Sequence, residues 1–465
     1  MGNGFQQHAG ASAARGVRPR SSDDWADGFV RNGKTYAYFG ILPALLRLPL
    51  LPTGALARLD VTRLYCGFAT TVALCFKLAS VVLINDKVPK SRPQSITFFA
   101  IALSLFFGGA QIQFLKASIY HETILWAGAI AAAFIYCAVR GLIAKRNFST
   151  GLVAVMASLA GLELLTRVST GLGLYVATGL LVLVIAWPSA GLRRDRVSQI
   201  VRSLASTRTV VALSILLGFM TVSGLVNYQR WGDPLKFADF RIYMVFLAEP
   251  EHLAHWKAIG TFNIDRLWYG ILYYFFPIWT IIRPDGQFLF SDFEKRVLYG
   301  VETPPSSFLL SDPLLLVLGG AFLLRLPQLA RERLLDLRAA AALTIGFSIP
   351  AVLMLTFFDM AFRYRIEFYP LLEFAAFLGF YAICVSPGQF SVLSRRRLSL
   401  ILIASAGFGI IYSHFALFFH KISPWGNYVT RGRDVVPMSA TNGWVDYYHF
   451  WLKTIFPSIA QRLHL

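Results

Sequence analysis

Ionisable residues at the ends of long apolar segments are the residues of this chain whose types and spacing could do chemistry. A charged side chain at membrane depth is costly, so its presence there is typical of a functional site. A carboxylate can act as a general base, arginine can hold a phosphate group through paired hydrogen bonds, and His beside Glu can orient a substrate or hold a divalent metal ion. Five groups stand out: Asp23, Asp24 and Asp27; His121 and Glu122; Glu163 and Arg167; Asp359, Arg363, Arg365 and Glu367; His414 and His420.

Each group also has an ordinary structural interpretation. The first fits a solvated polar tail, and the second fits the start of a helix, where the helix dipole favours an acid. The third has the i, i+4 spacing of an ion pair on one helix. The arginines of the fourth fit side chains that snorkel to the membrane interface, and the histidines of the fifth fit common interfacial residues. Taken together, the groups suit a phosphorylated lipid that carries a polar head group, because aromatic side chains nearby suit sugar rings.

The composition indicates which elements must position these residues. Of the 465 residues, 56% are hydrophobic and only 15% are charged, and the mean hydropathy is +0.55. A soluble domain is roughly 25% charged. The apolar residues fall in blocks long enough to cross a hydrocarbon core of about 30 Å as helices. The sequence therefore predicts an all-α protein, a polytopic transmembrane helical bundle with amphipathic interfacial helices and a large outer loop.

Hydropathy predicts about ten membrane spans. They lie near residues 62–85, 95–114, 123–139, 151–166, 171–187, 209–227, 311–327, 340–358, 365–385 and 398–419. The four cysteines all fall inside these apolar blocks without metal-ligand spacing, so they are predicted to be small buried hydrophobes.

The net charge of +19 reports membrane orientation rather than nucleic-acid binding. Alternate loops are basic, and by the positive-inside rule they lie in the cytoplasm. These loops contain Lys87, Lys90 and Arg92; Arg140, Lys145 and Arg146; Arg193, Arg194, Arg196, Arg202 and Arg208; Arg331, Arg333 and Arg338; and Arg395, Arg396 and Arg397. Lys77, deep in the first span, is predicted to snorkel towards the same side. The five groups of candidate residues then share the outer side.

Three regions follow from this orientation. Residues 1–61 form a polar tail and a first outer loop with a short interfacial helix, and a transmembrane helix is expected to precede them. Residues 62–419 form the transmembrane domain, with a large outer loop at 228–310, and residues 420–465 form an outer tail. The stretch from Leu267 to Ile282 is aromatic and apolar, and it is predicted to lie on the membrane without crossing it.

Four stretches of the sequence resemble a known family. They are Gly33 to Pro49 (GKTYAYFGILPALLRLP), Gly161 to Thr170 (GLELLTRVST), Asn227 to Pro234 (NYQRWGDP) and Arg363 to Leu371 (RYRIEFYPL). With these stretches the chain resembles the bacterial GT-C integral-membrane glycosyltransferases, in the group described as family 39-like or RgtA/B/C/D-type. The four stretches are spread over nearly the whole chain.

The resemblance implies a hexosyl or pentosyl transferase of the inner (plasma) membrane with a periplasmic active site. The donor would be a polyprenyl-phosphate sugar, and the acceptor a lipid, a glycan or a protein. The catalytic base would be one of Asp23, Asp24 and Asp27. Arg363 and Arg365, with Arg167, would stabilise the leaving phosphate. His121 and Glu122 would orient the donor or hold a divalent metal ion, the one cofactor under consideration.

Two alternative functions stay open at the level of sequence. A transporter or flippase of lipid-linked sugars is expected to show paired repeats and broken helices at mid-membrane, and no internal repeat is evident. A polymerase or ligase of lipid-linked glycans would also have a large outer loop. Nucleic acid is not an expected partner.

Overall fold

The protein is an all-α membrane protein, as the sequence predicts. The computed structural model describes residues 28–54, 60–109, 119–144, 147–187, 205–248, 250–277, 290–301, 306–385 and 392–422. Within these residues the helices are α1 (Leu42–Leu46), α2 (Thr62–Asn85), α3 (Arg92–Phe107), α4 (Ile119–Val139), α5 (Thr150–Leu164), α6 (Val168–Ala186), α7 (Thr207–Trp231), α8 (Met244–Ala248), α9 (Pro250–Ile259), α10 (Leu267–Phe275), α11 (Ser291–Val297), α12 (Phe308–Ser311), α13 (Pro313–Arg331), α14 (Leu337–Thr356), α15 (Tyr369–Val385) and α16 (Val392–Ile422).

Each predicted span coincides with one long apolar helix, from α2 to α7 and from α13 to α16. In the described part of the chain, seven of these helices are long and apolar enough to cross a bilayer. Helices α3, α5 and α15 are apolar but have only 16, 15 and 17 residues. At 1.5 Å per residue they rise about 22–26 Å, slightly less than a hydrocarbon core of about 30 Å. The chain is therefore a multi-pass membrane protein.

Helix α4 and the π-helical turn that continues it, Arg140–Ala144, lie at the centre of the bundle. The alanines of α4 are buried, and small side chains let neighbouring helices approach closely. Helix α2 packs along α4, α13 along α15, and α6 along α14. At the last of these crossings a Cβ on Gly346 would overlap Ala177, so glycine is required there.

Short elements cover one end of the bundle. Strands β1 (Phe29–Arg31) and β2 (Lys34–Tyr36) form an antiparallel hairpin, and β3 (Gly300–Val301) pairs in parallel with β4 (Asp359–Met360). Helix α1 and the 3-10 turn Leu48–Leu50 form the predicted interfacial segment, which leaves Leu45 and Leu48 exposed. Helix α10 has 9 residues, about 14 Å, so the described part of the aromatic outer-loop stretch does not span the membrane.

Candidate functional site

The candidate residues meet at one end of the bundle, called here the site end. Helices α2, α4, α6, α13 and α15 begin there, and α5, α7 and α14 end there, because consecutive helices run in opposite directions. Glu122 is in the first turn of α4, Arg167 precedes α6, and Arg363 and Arg365 lie in the 3-10 segment Phe362–Glu367 just before α15. The opposite end, where α3, α5, α7, α14 and α16 begin, carries the basic loops and is called here the basic end.

Arg47 joins the interfacial segment to α4 through a buried ion pair. Its Nε donates to Glu122 Oε1 at 3.2 Å, and its Nη2 contacts Glu122 Oε2 and donates to Thr62 Oγ1 at 3.2 Å. Both charged side chains are 1% exposed. The guanidinium also lies 5.5 Å from the centre of the Tyr65 ring. Glu122 is therefore more than a helix cap, because it holds a segment 75 residues away in the sequence.

Arg167 pairs with Glu367, and the ion pair with Glu163 that the i, i+4 spacing allowed does not form. The same Glu367 carboxylate accepts hydrogen bonds from Ser169 Oγ and Thr170 Oγ1, each at 2.7 Å. The chain turns at Leu165, so Arg167 lies beyond the end of α5 and its side chain points away from that helix. Glu163 is fully buried, and its carboxylate oxygens have no hydrogen-bond donor among the described residues.

Arg365 forms the third buried pair, with Asp312 at the start of α13. Its Nη2 donates to Asp312 Oδ2 at 2.8 Å and to Ser311 Oγ at 2.7 Å, and Tyr369 donates its hydroxyl to the same carboxylate at 3.0 Å. The Arg365 guanidinium lies 4.1 Å from the centre of the Phe308 ring. Its Nε and Nη1 are buried and donate to no acceptor in the described part of the chain. Arg365 is therefore buried and does not snorkel.

Lys77 extends this network into the bundle, which corrects the prediction that it snorkels towards the cytoplasm. It forms a buried ion pair with Glu373 of α15, and its ammonium lies 5.5 Å from the centre of the Tyr369 ring. Side chains on a helix lean towards its N-terminus, and α2 begins at the site end. A cavity of about 30 Å³, room for one or two water molecules, separates Glu373 from Asp312.

Arg363 is only half-buried, unlike Arg47 and Arg365. Its guanidinium lies over two aromatic rings, 5.7 Å from the centre of Tyr120 and 5.0 Å from that of Tyr364. Tyr120 packs edge-on against Phe39, and burial raises the pKa of the Tyr364 phenol, so Tyr364 stays a neutral donor. His121, next to Tyr120 in α4, is half-buried. Arg363, Tyr120 and His121 form the accessible part of the site.

The four stretches that carry the family resemblance contact one another at this end. The amide of Leu42 donates to the carbonyl of Leu165 at 3.0 Å, and a Cβ on Gly40 would overlap the carbonyl oxygens of Leu165 and Thr166. Arg230, in the third stretch, donates from Nη1 to the carbonyl of Phe39 at 2.8 Å. The Arg167 pair joins the second stretch to the fourth.

Other candidate residues lie elsewhere or outside the described residues. Asp23, Asp24 and Asp27 are outside them, so their role stays a prediction. Asp359 is in strand β4, and His414 is exposed on α16 and bonds to the carbonyl of Ile410 at 2.9 Å. Among the described residues no three His, Cys, Asp or Glu side chains are grouped closely enough to hold a metal ion.

Sequence reasoning missed Arg47 and Asp312 as members of the site. Arg47 interrupts a short apolar block, and Asp312 lies at the start of the predicted span 311–327, so neither stands out from its sequence context. One signal was available for Asp312, because an acid directly before proline marks the first turn of a helix at the membrane boundary.

Comparisons with known proteins give two similar solved structures. No family model matches the chain, and no curated protein matches it. The crystal structure of the Archaeoglobus fulgidus oligosaccharyltransferase in the apo form is 12% identical, with a TM-score of 0.43, and the match covers 95% of this chain and 56% of that one. The oligosaccharyltransferase AglB of the same organism, in complex with an inhibitory peptide and a dolichol-phosphate, is 13% identical, with a TM-score of 0.41 and 88% and 53% coverage. The chain spans about half the length of both.

Proposed function

We propose that this chain is a GT-C type glycosyltransferase that acts at the periplasmic face of the inner (plasma) membrane. It transfers a hexosyl or pentosyl group from a polyprenyl-phosphate donor to a lipid, glycan or protein acceptor. One observation carries the proposal: the four stretches that resemble this family, far apart in the sequence, meet in one cluster. The Arg167–Glu367 pair and the hydrogen bonds from Leu42 to Leu165 and from Arg230 to Phe39 join them. Arginines that merely snorkel would extend towards water and would not be buried in such pairs.

Arg363 is the side chain proposed to contact the donor phosphate. It is half-buried, and its planar guanidinium can bind two phosphate oxygens at once. Its guanidinium lies over the aromatic rings of Tyr120 and Tyr364, and its Nη2 donates to the Tyr364 hydroxyl at 3.5 Å, so these two residues position it. Arg365, two residues further along the chain, has no acceptor for its Nε and Nη1 among the described residues, so we propose that it adds positive charge as the leaving group becomes an anion.

The proposed reaction is an inverting displacement at the anomeric carbon of the sugar. A carboxylate removes the proton of the acceptor hydroxyl, and the acceptor oxygen forms a bond to the anomeric carbon. The bond from that carbon to the phosphate oxygen breaks, and polyprenyl phosphate leaves with the electron pair. One of Asp23, Asp24 and Asp27 is proposed as the base, and Arg167 as a positioning residue that keeps Glu367 and the arginine segment in place.

His121 and Glu122 are proposed to orient the donor. A divalent metal ion bound there would have to compete with Arg47 for the Glu122 carboxylate. His121 is the more accessible of the two, so we assign it the contact with the sugar or its phosphate.

The test is a transfer assay in membranes that contain the full chain and a labelled polyprenyl-phosphate sugar. Asp23→Asn, Asp24→Asn and Asp27→Asn are assayed singly, because Asn keeps the size and removes the basicity. Loss of the general base is expected to lower the rate by about 10²- to 10⁴-fold in one variant. Asp86→Asn is the control, because Asp86 is exposed at the basic end. If all three variants transfer sugar like the parent, the base is elsewhere, and Glu122 is the next candidate.

The same assay separates the alternative functions. A flippase moves the lipid-linked sugar across the membrane and forms no new glycosidic bond. A polymerase or ligase transfers a whole glycan and does not use a single-sugar donor.

A further inference from the structure

A large cavity lies at the basic end, away from the candidate site. It has a volume of about 750 Å³ and opens between α2, α4 and α5. Its walls are apolar, from Phe76, Ala133, Tyr136, Leu152, Val155 and Leu159. Pockets that bind small molecules have volumes of about 300–1,000 Å³, mostly apolar walls and a few polar groups. The cavity is therefore large enough for a ligand.

The polar groups of this cavity are gathered at one mouth. Arg140, the first residue of the π-helical turn, lines the cavity together with Asn147 and Ser149. Arg140 is exposed, and no described carboxylate forms an ion pair with it. Ser149 caps α5 by accepting a hydrogen bond from the amide of Leu152 at 3.3 Å. One uncompensated guanidinium therefore stands at the mouth of an apolar cavity.

A second cavity continues the polar surface. It has a volume of about 450 Å³, shares Asn147 with the first, and is lined by Arg333 from the turn between α13 and α14 and by Arg338 from the first turn of α14. Asp336 also lines it, but its carboxylate accepts hydrogen bonds from the amides of Arg338 and Ala339, at 3.1 and 3.2 Å. The arginines that line the two adjoining cavities therefore lie on one polar surface.

The shape of the larger cavity suits an extended apolar chain. Leu152, Val155 and Leu159 lie three and four residues apart, so they line one side of α5, and Ala133 and Tyr136 lie in the same way on α4. Ala133 and Arg140 are seven residues apart, about 10 Å along the helix axis. Val155 is 49% exposed, so the groove opens sideways to the lipid. An acyl chain can enter it from the bilayer while its head group stays at the mouth.

We propose that this groove is a binding site for one anionic phospholipid, with an acyl chain between α4 and α5 and the phosphate at Arg140. Charge selects an anionic lipid over a zwitterionic one, because no described carboxylate forms an ion pair with Arg140 at the mouth. The site is independent of glycosyl transfer, since it lies at the other end of the bundle.

The test is native mass spectrometry of the purified full chain titrated with phosphatidylglycerol and, in parallel, with phosphatidylcholine. Gly151→Trp fills the groove, because Gly151 lines the cavity and a Cβ there would meet nothing within 4 Å. Arg140→Gln removes the charge. Gly179→Trp is the control for the added side-chain volume, since a Cβ on Gly179 would also meet nothing within 4 Å and Gly179 lines neither cavity. Arg92→Gln is the control for the lost charge, since Arg92 is exposed at the same end of the bundle.

The parent is expected to bind one phosphatidylglycerol more tightly than phosphatidylcholine. Arg140→Gln should weaken phosphatidylglycerol binding about fivefold, the effect of one arginine near an anionic lipid surface, and should weaken phosphatidylcholine binding less, because the choline charge offsets that of the phosphate. Gly151→Trp should abolish the one-to-one complex, and both controls should bind like the parent. Equal binding of both lipids by the parent, or a Gly151→Trp variant that binds like the parent, would overturn the proposal.

Discussion

The site end and the basic end of the bundle use the same residue types in opposite ways. At the basic end, the side chains of Ser91, Ser149, Ser206 and Asp336 cap the helices that begin there. At the site end, α6 and α13 begin at Arg167 and Asp312, and neither side chain caps its helix. Asp is among the best N-cap residues, yet the Asp312 carboxylate accepts from Arg365 instead.

Charged side chains of the candidate site are therefore distinguished by burial and ion pairing, and not by their position at the end of a helix. Arginines at the basic end are mostly exposed, and exposed charges contribute little to stability while they set membrane orientation. Arginines at the site end join segments 53 to 200 residues apart. A pair of this kind is expensive to break, because removing one partner leaves a buried charge without compensation.

The first prediction is that the two ends of the bundle lie on opposite sides of the membrane. Each position should therefore be labelled from one side only. Single cysteines near residues 145, 200, 335 and 396 should react with an impermeant thiol reagent only from the cytoplasmic side. Cysteines near 250 and 440 should react only from outside. Labelling of position 250 from the cytoplasmic side would show that the site end and the basic end do not lie on the predicted sides of the membrane.

The second prediction is that a buried site arginine contributes much more to stability than an exposed one. Arg365→Met should lower the free energy of unfolding by about 3–5 kcal/mol, because Asp312 is left buried and unpaired. Arg331→Met, at the exposed basic end, should change it by less than about 0.5 kcal/mol. Unfolding in mixed micelles, followed by tryptophan fluorescence, measures both values.

A double variant controls for loss of packing. Replacing both members of the pair, Arg365→Met with Asp312→Leu, should recover part of the lost stability, because no charge is then left buried. If the double variant is less stable than Arg365→Met, the Asp312 carboxylate is stabilised by other groups, and the buried pair is not the reason.

The third prediction separates Arg363 from its buried neighbours. Arg363→Lys keeps the charge and loses the planar fork, so sugar transfer should fall by about tenfold or more while thermal stability stays that of the parent. Arg331→Lys is the matched control at the basic end. Unchanged transfer by the Arg363 variant would favour interfacial snorkelling for this side chain.

The smallest expected effect tests whether an exposed pair at the site end behaves like the charges at the basic end. In the outer loop, the hydrogen bonds from Arg241 hold the pKa of Asp239 well below its usual range, with a further contribution from Lys236. A lowered pKa stabilises the fold above the unfolded-state pKa of about 3.9, and this stabilisation is lost at lower pH.

Asp239→Asn should therefore be cleaved slightly faster than the parent by a protease at pH 7. Asp265→Asn is the control in the same loop. If Asp239→Asn and the parent are cleaved equally at pH 7, the exposed pair contributes nothing.

The helices were predictable from sequence, and the pairs between them were not. Each of the ten segments must cover most of the membrane thickness with apolar residues, so hydropathy locates it within a few residues. The partner of Arg167 lies 200 residues away, and no local periodicity encodes it. The spacing favoured Glu163, but spacing rules apply only on a continuous helix, and α5 ends before Arg167. The sequence predicts the helix that carries Lys77, but not the direction in which its side chain extends. That direction depends on its ion pair with Glu373, which lies on another helix.

The Arg167–Glu367 pair has a consequence for how the protein is made. Arg167 leaves the ribosome 200 residues before Glu367. At a synthesis rate of about 5–20 residues per second, the guanidinium waits at the membrane boundary for about 10 to 40 s before its partner exists. Helices α5 and α6 must therefore be inserted with this charge still in water or in the translocation machinery. The candidate site is completed only when the segment before α15 has been synthesised, so its assembly is one of the last events in the biogenesis of the bundle.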